Sequence, residues 1–174
     1  MTDKNQTTEK KKNPRKARRF KRGTRTKPEF DQKIISIRRV TRVVRGGRRF
    51  SFSVSLVAGD KKGSVGVGIG KAGDTSLAID KALRDAKKKM ITVKTTDTGS
   101  IPHETSAKYT SSQVLLMPAP GKGIIAGSSV RTVLELAGIK EVGGKLFTRS
   151  KNKMNNAFAT IEALRKLPGT VKRK

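Results

Sequence analysis

The 174-residue chain has no cysteine, no tryptophan, one histidine and one tyrosine, and its acids are few. Without thiols there is no disulfide framework, no thiolate nucleophile and no Cys-based zinc or iron–sulfur site, and redox chemistry leaves the compartment open. A single histidine, His103, excludes two-histidine cleavage of RNA and any multi-histidine metal centre. Aromatic residues are so scarce that base-by-base reading of single strands is disfavoured, the more so because the strand pattern assigns Phe50 and Phe52 to the core. Only 13 Asp and Glu oppose 41 Lys and Arg, a formal net charge of +28. Such a surplus repels itself until a polyanion offsets it. Since no long apolar run accompanies the charge, nucleic acid fits that role and a membrane does not. Hydrophobic residues make up 33% of the chain, enough for one compact body or two small domains. A large enzyme is excluded.

What is present divides into a tail and two blocks. Residues 1–28 carry twelve Lys or Arg against Asp3 and Glu9 and almost no aliphatic side chain, so residues 1–29 are read as a disordered basic arm. In the block 30–92, a strand over Ile34–Val44 turns through Arg45-Gly46-Gly47-Arg48 into one where Phe50, Phe52, Val54 and Leu56 alternate with serines. That is the period of a sheet with one buried face. The turn Gly59–Gly63 leads to a third strand, where Val65, Val67 and Ile69 alternate with glycines. A helix follows from Asp74, a candidate N-cap, to Met90, with Ala78, Ala82, Ala86 and Met90 at i+4 steps. The order is β-β-β-α. The block 93–168 predicts strands over Ile101–Tyr109 and Gln113–Met117, a helix over Ser128–Ala137 stopped by Gly138, and a last helix over Lys153–Leu167 ended by Pro168. Residues 169–174 read as a basic tail. The fold class is α+β.

The densest basic feature is the first hairpin, where Arg38, Arg39, Arg42, Arg45, Arg48 and Arg49 flank the two-glycine tip. The planar guanidinium donates paired hydrogen bonds to phosphate, and glycine lets backbone approach a ligand closely. A merely solvated strand would intersperse acids, and this one has none. Gly68, Gly70 and Gly73 match the dinucleotide-binding pattern in letters, but they follow antiparallel hairpins rather than a parallel βαβ unit, so a nucleotide cofactor is disfavoured. Lys71, at the mouth of the following helix, is instead expected to hold an RNA phosphate. Gly68-Ile69-Gly70-Lys71 resembles the glycine-lysine entry to the last helix of double-stranded-RNA-binding domains. Gly127-Ser128-Ser129 distantly resembles the phosphate loop of small-metabolite kinases, but nothing nearby supplies paired metal-binding carboxylates. No catalytic, cofactor or metal residue is expected.

Four motifs in order carry a wider resemblance. They are Val40-Thr41-Arg42-Val43-Val44-Arg45-Gly46-Gly47-Arg48-Arg49-Phe50, Val65 to Ala72, Ile101-Pro102-His103-Glu104, and Gly123 to Gly127 followed by Val130 to Ile139. From Phe30 to about Leu167 the chain resembles bacterial-type small-subunit ribosomal protein five. The resemblance implies an N-terminal domain of double-stranded-RNA-binding type lacking its first helix, over 30–92, and a C-terminal α+β domain over 93–168. It implies a cytoplasmic, ribosome-bound structural protein near the messenger entry and decoding region. The partners it implies are small-subunit ribosomal RNA and small-subunit proteins four and eight, with messenger RNA near the entry channel as a further contact and neither a membrane nor a small-molecule substrate. The hairpin tip would border the spectinomycin site, with Thr41, Arg45, Gly46 and Gly47 at the matching positions. The full RNA-binding set expected adds Lys61, Lys62, Lys71, Lys122 and Arg131 to these and the hairpin arginines. Departures from the family pattern at Lys122, Ser128, Lys153, Asn156-Ala157 and Phe158 all fall in the second block.

Overall fold

The computed structural model describes residues 29–172, so the arm expected over 1–29 lies outside the described residues except for Glu29, as do residues 173 and 174 of the expected tail. The elements in chain order are β1 (Asp31–Val44), β2 (Gly47–Gly59), β3 (Ser64–Ala72), α1 (Thr75–Lys88), β4 (Ile91–Thr92), β5 (Thr105–Tyr109), β6 (Ser112–Pro118), β7 (Ile124–Ala126), α2 (Ser128–Ala137), β8 (Val142–Leu146), α3 (Lys153–Arg165) and β9 (Val171–Lys172). One sheet runs β1-β2-β3-β4-β9 and the other β5-β6-β8-β7. All pairings are antiparallel except β7 with β8. The α+β class and the β-β-β-α opening follow the sequence reading.

Three differences from the sequence pattern have physical causes. First, β2 is buried continuously from Val54 to Gly59, on both faces rather than one. Leu56 and Ala58 pack with Ala82, Ala86 and Met90 of the α1 region, while Val57, Val65 and Val67 join a cluster with Val130, Val133, Leu134, Ala157, Ile161 and Leu164 of α2 and α3. The layers are therefore α1, the first sheet, the α2–α3 pair and the second sheet. Second, the strand predicted from Ile101 begins at Thr105, because Pro102 has no N–H to give a ladder. Ile101 is nonetheless buried at 2% exposure. Third, the expected tail supplies β9, which pairs Val171 and Lys172 with Thr92 and Ile91.

The glycines of β3 answer to the helix above them. A Cβ on Gly68 would lie 2.1 Å from the Ala82 carbonyl oxygen, and one on Gly70 would lie 2.1 Å from that of Ala78. Glycine on the strand against alanine on the helix lets the two backbones touch, so packing accounts for Gly68 and Gly70 of the dinucleotide pattern, while a side chain at Gly73 would meet open space. The two blocks are also joined through backbone. Lys61 N–H donates to the Leu136 carbonyl at 3.0 Å and Gly63 N–H to that of Ala137 at 2.9 Å. These bonds satisfy carbonyls that the end of α2 leaves without helical partners. Gly138 ends α2 at φ +82°, the left-handed cap the sequence predicts, and a side chain there would strike the Lys61 carbonyl.

Candidate nucleic-acid interface

Strand length creates an exposed projection among the described residues. β1 has 14 residues and β2 has 13, whereas β3 has 9 and pairs with β2 only from Phe52 to Gly59. Beyond Phe52 the β1–β2 hairpin continues as a two-stranded ribbon, with Val40 to Val44 opposite Ser51 to Gly47. Five residues of strand reach roughly 15 Å. No acid occurs from Gln32 to Gly59, while Lys33, Arg38, Arg39, Arg42, Arg45, Arg48 and Arg49 do.

Register distributes these cations over both faces. Pairing of Arg38 with Ser53, Val40 with Ser51 and Arg42 with Arg49 defines the face away from α1; Arg39, Thr41, Val43, Arg48 and Phe50 lie on the α1 side. The tip is tighter than the glycine pair suggests. Arg45 and Gly46 form the turn, and Gly47, at φ +134°, already opens β2 opposite Val44. Arg42 and Arg49 stand directly across from each other, an arrangement that opposes sheet pairing unless something negative covers it. All six hairpin arginines are exposed.

Phe50 does not belong to the core. It is 50% exposed because α1 and β3 end before reaching it, and the Arg39 guanidinium lies 4.7 Å from its ring centroid. Phe52, nearer the body, is partly buried against Val54, Ala72 and Ala78. Chain alternation alone could not separate the two phenylalanines. The signal that could is the difference in length between the hairpin and its third strand.

The other expected contacts are scattered. Lys71 is exposed on β3 and falls in the register row Arg38–Ser53–Lys71, which adds it to the ribbon's outer face. At the start of α1 beside it, the Asp74 carboxylate accepts the Thr75 N–H at 2.7 Å, which places one negative group of the chain at that helix end. Lys62 is exposed in the β2–β3 turn. Its neighbour Lys61 is tied to Asp31 at 2.6 Å, and this hydrogen bond and the attraction to Asp31 raise its pKa. Arg131 donates to Glu135 at 2.8 Å, and Lys33 reaches the same carboxylate at 3.3 Å. The Arg131 guanidinium, helped by Lys33, holds the Glu135 carboxyl below its ordinary value against the opposing effect of burial. Lys61 and Arg131 thus spend part of their charge within the molecule. Lys122 sits apart on the loop between β6 and β7, exposed beside an apolar groove of about 560 Å³ lined by Met117, Pro118, Pro120 and Ile125. In the β2–β3 turn, burial disfavours ionised Asp60, but the N–H groups of Lys62 and Ser64, at 2.8 and 2.9 Å, outweigh it and lower the pKa. Among the described residues no group of three or more His, Cys, Asp or Glu side chains could hold a metal ion, and no helix is long and apolar enough to cross a membrane.

Comparison with known proteins agrees with the motif order. Residues 30–94 match the family described as ribosomal protein S5, N-terminal domain, and residues 107–171 match ribosomal protein S5, C-terminal domain. The chain belongs to the ribosomal protein S5 family. Members of the S5 family are structural and non-enzymatic, in keeping with the expectation of a structural protein rather than an enzyme. One relative, the small ribosomal subunit protein uS5 of Mesomycoplasma hyopneumoniae strain J, is 46% identical over 154 residues, covering 88% of this chain and 71% of its own length. The protein of the same name from Synechococcus elongatus is 46% identical over 145 residues, 83% of this chain and 80% of its own. The small ribosomal subunit protein uS5c of Rhodomonas salina is 47% identical over 140 residues, 80% of this chain and 83% of its own. The family assignment thus spans both halves of the molecule, including the second block, where the departures from the family pattern fall.

Proposed function

We propose that this chain is a structural constituent of the small ribosomal subunit that holds ribosomal RNA through the β1–β2 ribbon, aids assembly of the subunit and supports accuracy near the messenger entry and decoding region. The observation that carries the reading is an acid-free ribbon with arginines on both faces, projecting past its third strand in a member of a ribosomal family. A ribbon charged on one face would suit a flat surface; one charged on both suits insertion between RNA segments. Arg38, Arg39, Arg42, Arg45, Arg48 and Arg49 contact phosphates, Thr41, Gly46 and Gly47 bring the backbone close at the tip, and Lys62 and Lys71 extend the contact towards the body. Lys61, Lys122 and Arg131 are peripheral to that surface.

The protein works as a ribosome-bound component, with small-subunit proteins four and eight as its protein neighbours and messenger RNA passing close to the entry channel. The apolar groove beside Lys122, with Met117 and Ile125 exposed, supports a protein contact on the second sheet. Neither a cofactor nor a small-molecule substrate enters this account. Sedimentation tests the reading. The chain is expected to travel with small subunits in a sucrose gradient, and Arg45→Glu combined with Arg48→Glu is expected to reduce incorporation or reading accuracy while the circular dichroism spectrum stays unchanged. Full incorporation and normal accuracy of that variant would contradict it.

A further inference from the structure

We propose that Phe50 and Arg39 form a stacking platform for an unpaired RNA base, so that the ribbon holds a bulged or looped nucleotide as well as phosphates. This rests on the reading of the ribbon as an RNA contact and adds the class of nucleotide it prefers. Phe50 is 50% exposed on a stretch of ribbon that, among the described residues, lies beyond the last β3 pairing at Phe52, and the Arg39 guanidinium sits 4.7 Å from its centroid. Phe50 joins none of the hydrophobic clusters of the described residues, so beyond its contact with Arg39 the ring leaves apolar surface open to a flat partner. Register sets Phe50 diagonally from Arg39 and next to Thr41, and the neighbours on that face, Val43 and Arg48, are exposed as well.

The occupant follows from charge. Cations alternate with apolar side chains on this face and no acid occurs from Gln32 to Gly59, so a partner bringing its own anionic surface fits and a basic or neutral protein surface does not. A nucleotide offers both parts at once. Its base has an apolar π-face for the ring and the guanidinium plane, and its phosphate is the anion for Arg48 or Arg39. Paired bases in an A-form helix present no free face, which restricts the platform to unpaired nucleotides.

The test uses the full chain and two RNA hairpins that differ by one bulged 2-aminopurine, whose fluorescence is quenched on stacking. Wild type is expected to quench the probe and to bind the bulged hairpin more tightly than the fully paired one. Phe50→Leu is expected to lose the quenching and about tenfold or more in affinity for the bulged RNA only, with the dependence of log K on log salt unchanged, since stacking releases no counterions. Phe50→Tyr is expected to restore both. Equal quenching and affinity for Phe50→Leu would overturn the proposal, as would loss of subunit incorporation by that variant without any change in RNA binding, which would assign the ring to a protein. Arg42→Gln with Arg49→Gln separates the two levels. If that pair weakens binding to both RNAs and Phe50→Leu does nothing, stacking alone fails; if neither matters, the ribbon is not the RNA contact.

Discussion

Two kinds of glycine illustrate how the same residue serves different ends. At Gly68 a methyl group would meet the Ala82 carbonyl and the Ala86 nitrogen at 2.1 and 2.4 Å, both backbone atoms that cannot step aside. Gly68→Ala should therefore destabilise the fold by about 2 kcal/mol or more in urea unfolding, since overpacking of a rigid contact costs roughly 1–3 kcal/mol. Gly46 has open space around its Cα and no positive φ, so Gly46→Ala should leave the unfolding midpoint nearly unchanged. Equal tolerance at both positions would refute the packing role of the β3 glycines. Asp60 gives a second test at this scale. Its carboxyl is held below its ordinary value of 3.8, so the unfolded chain binds the proton more readily. The resulting stability is present above that value and fades as pH falls through the lower folded pKa. Asp60→Asn should flatten the acid limb of the stability curve below about pH 4. A variant whose acid limb matches wild type would show that the turn draws nothing from the charge.

At the scale of elements, the hairpin holds an unfavourable pairing that the proposed contact with RNA would relieve. Arg42 opposite Arg49 is a like-charge cross-strand pair, destabilising by some tenths of a kcal/mol. Replacing both with glutamine should leave thermal stability equal or slightly higher while lowering the slope of log K against log salt by nearly 2 for duplex RNA. A fall in stability with no change in slope would assign the pair to the fold instead. The hairpin, α1 and α2 were legible in the sequence because each carries its own punctuation: Gly46-Gly47, Asp74 and Gly138. β5 and β6 were legible as well, from the runs ending at Tyr109 and Met117, but β7 and β8 of the second block were not. β8 is Val-Gly-Gly-Lys-Leu, with glycines where alternation would show, and β7 has three residues that are strand only because β8 lies parallel beside it. β4 and β9, two residues each, depend on each other and on β3 in the same way. Partners distant in sequence define these elements, and no local pattern announces them.

For the whole molecule, the two blocks that composition separates share one core. Val57, Val65, Val67 and Ile91 of the first lie in the same buried cluster as Leu134, Ile139, Ile161 and Leu164 of the second. Urea unfolding should be a single transition by probes placed in either half, and Leu134→Ala should lower the stability of both by about 2–5 kcal/mol. Two separate transitions would show that the halves are thermodynamically independent. The candidate site was readable in outline, since charge and glycine placement are properties of the chain. Its details were not: Phe50 is exposed through a mismatch of strand lengths, while Lys61 and Arg131 are drawn into ion pairs with Asp31, at the start of β1, and Glu135.

The claim beneath all of this is that the acid-free ribbon exists to be neutralised by folded RNA. The most direct measurement is the affinity of the full chain for small-subunit ribosomal RNA across a salt series, compared with a chain carrying Arg42→Gln, Arg45→Gln, Arg48→Gln and Arg49→Gln. Wild-type log K should fall steeply and linearly with log salt, and the variant's slope should be shallower by about 3 to 4. Superimposable lines for the two proteins, or no binding by the wild type at low salt, would contradict the account.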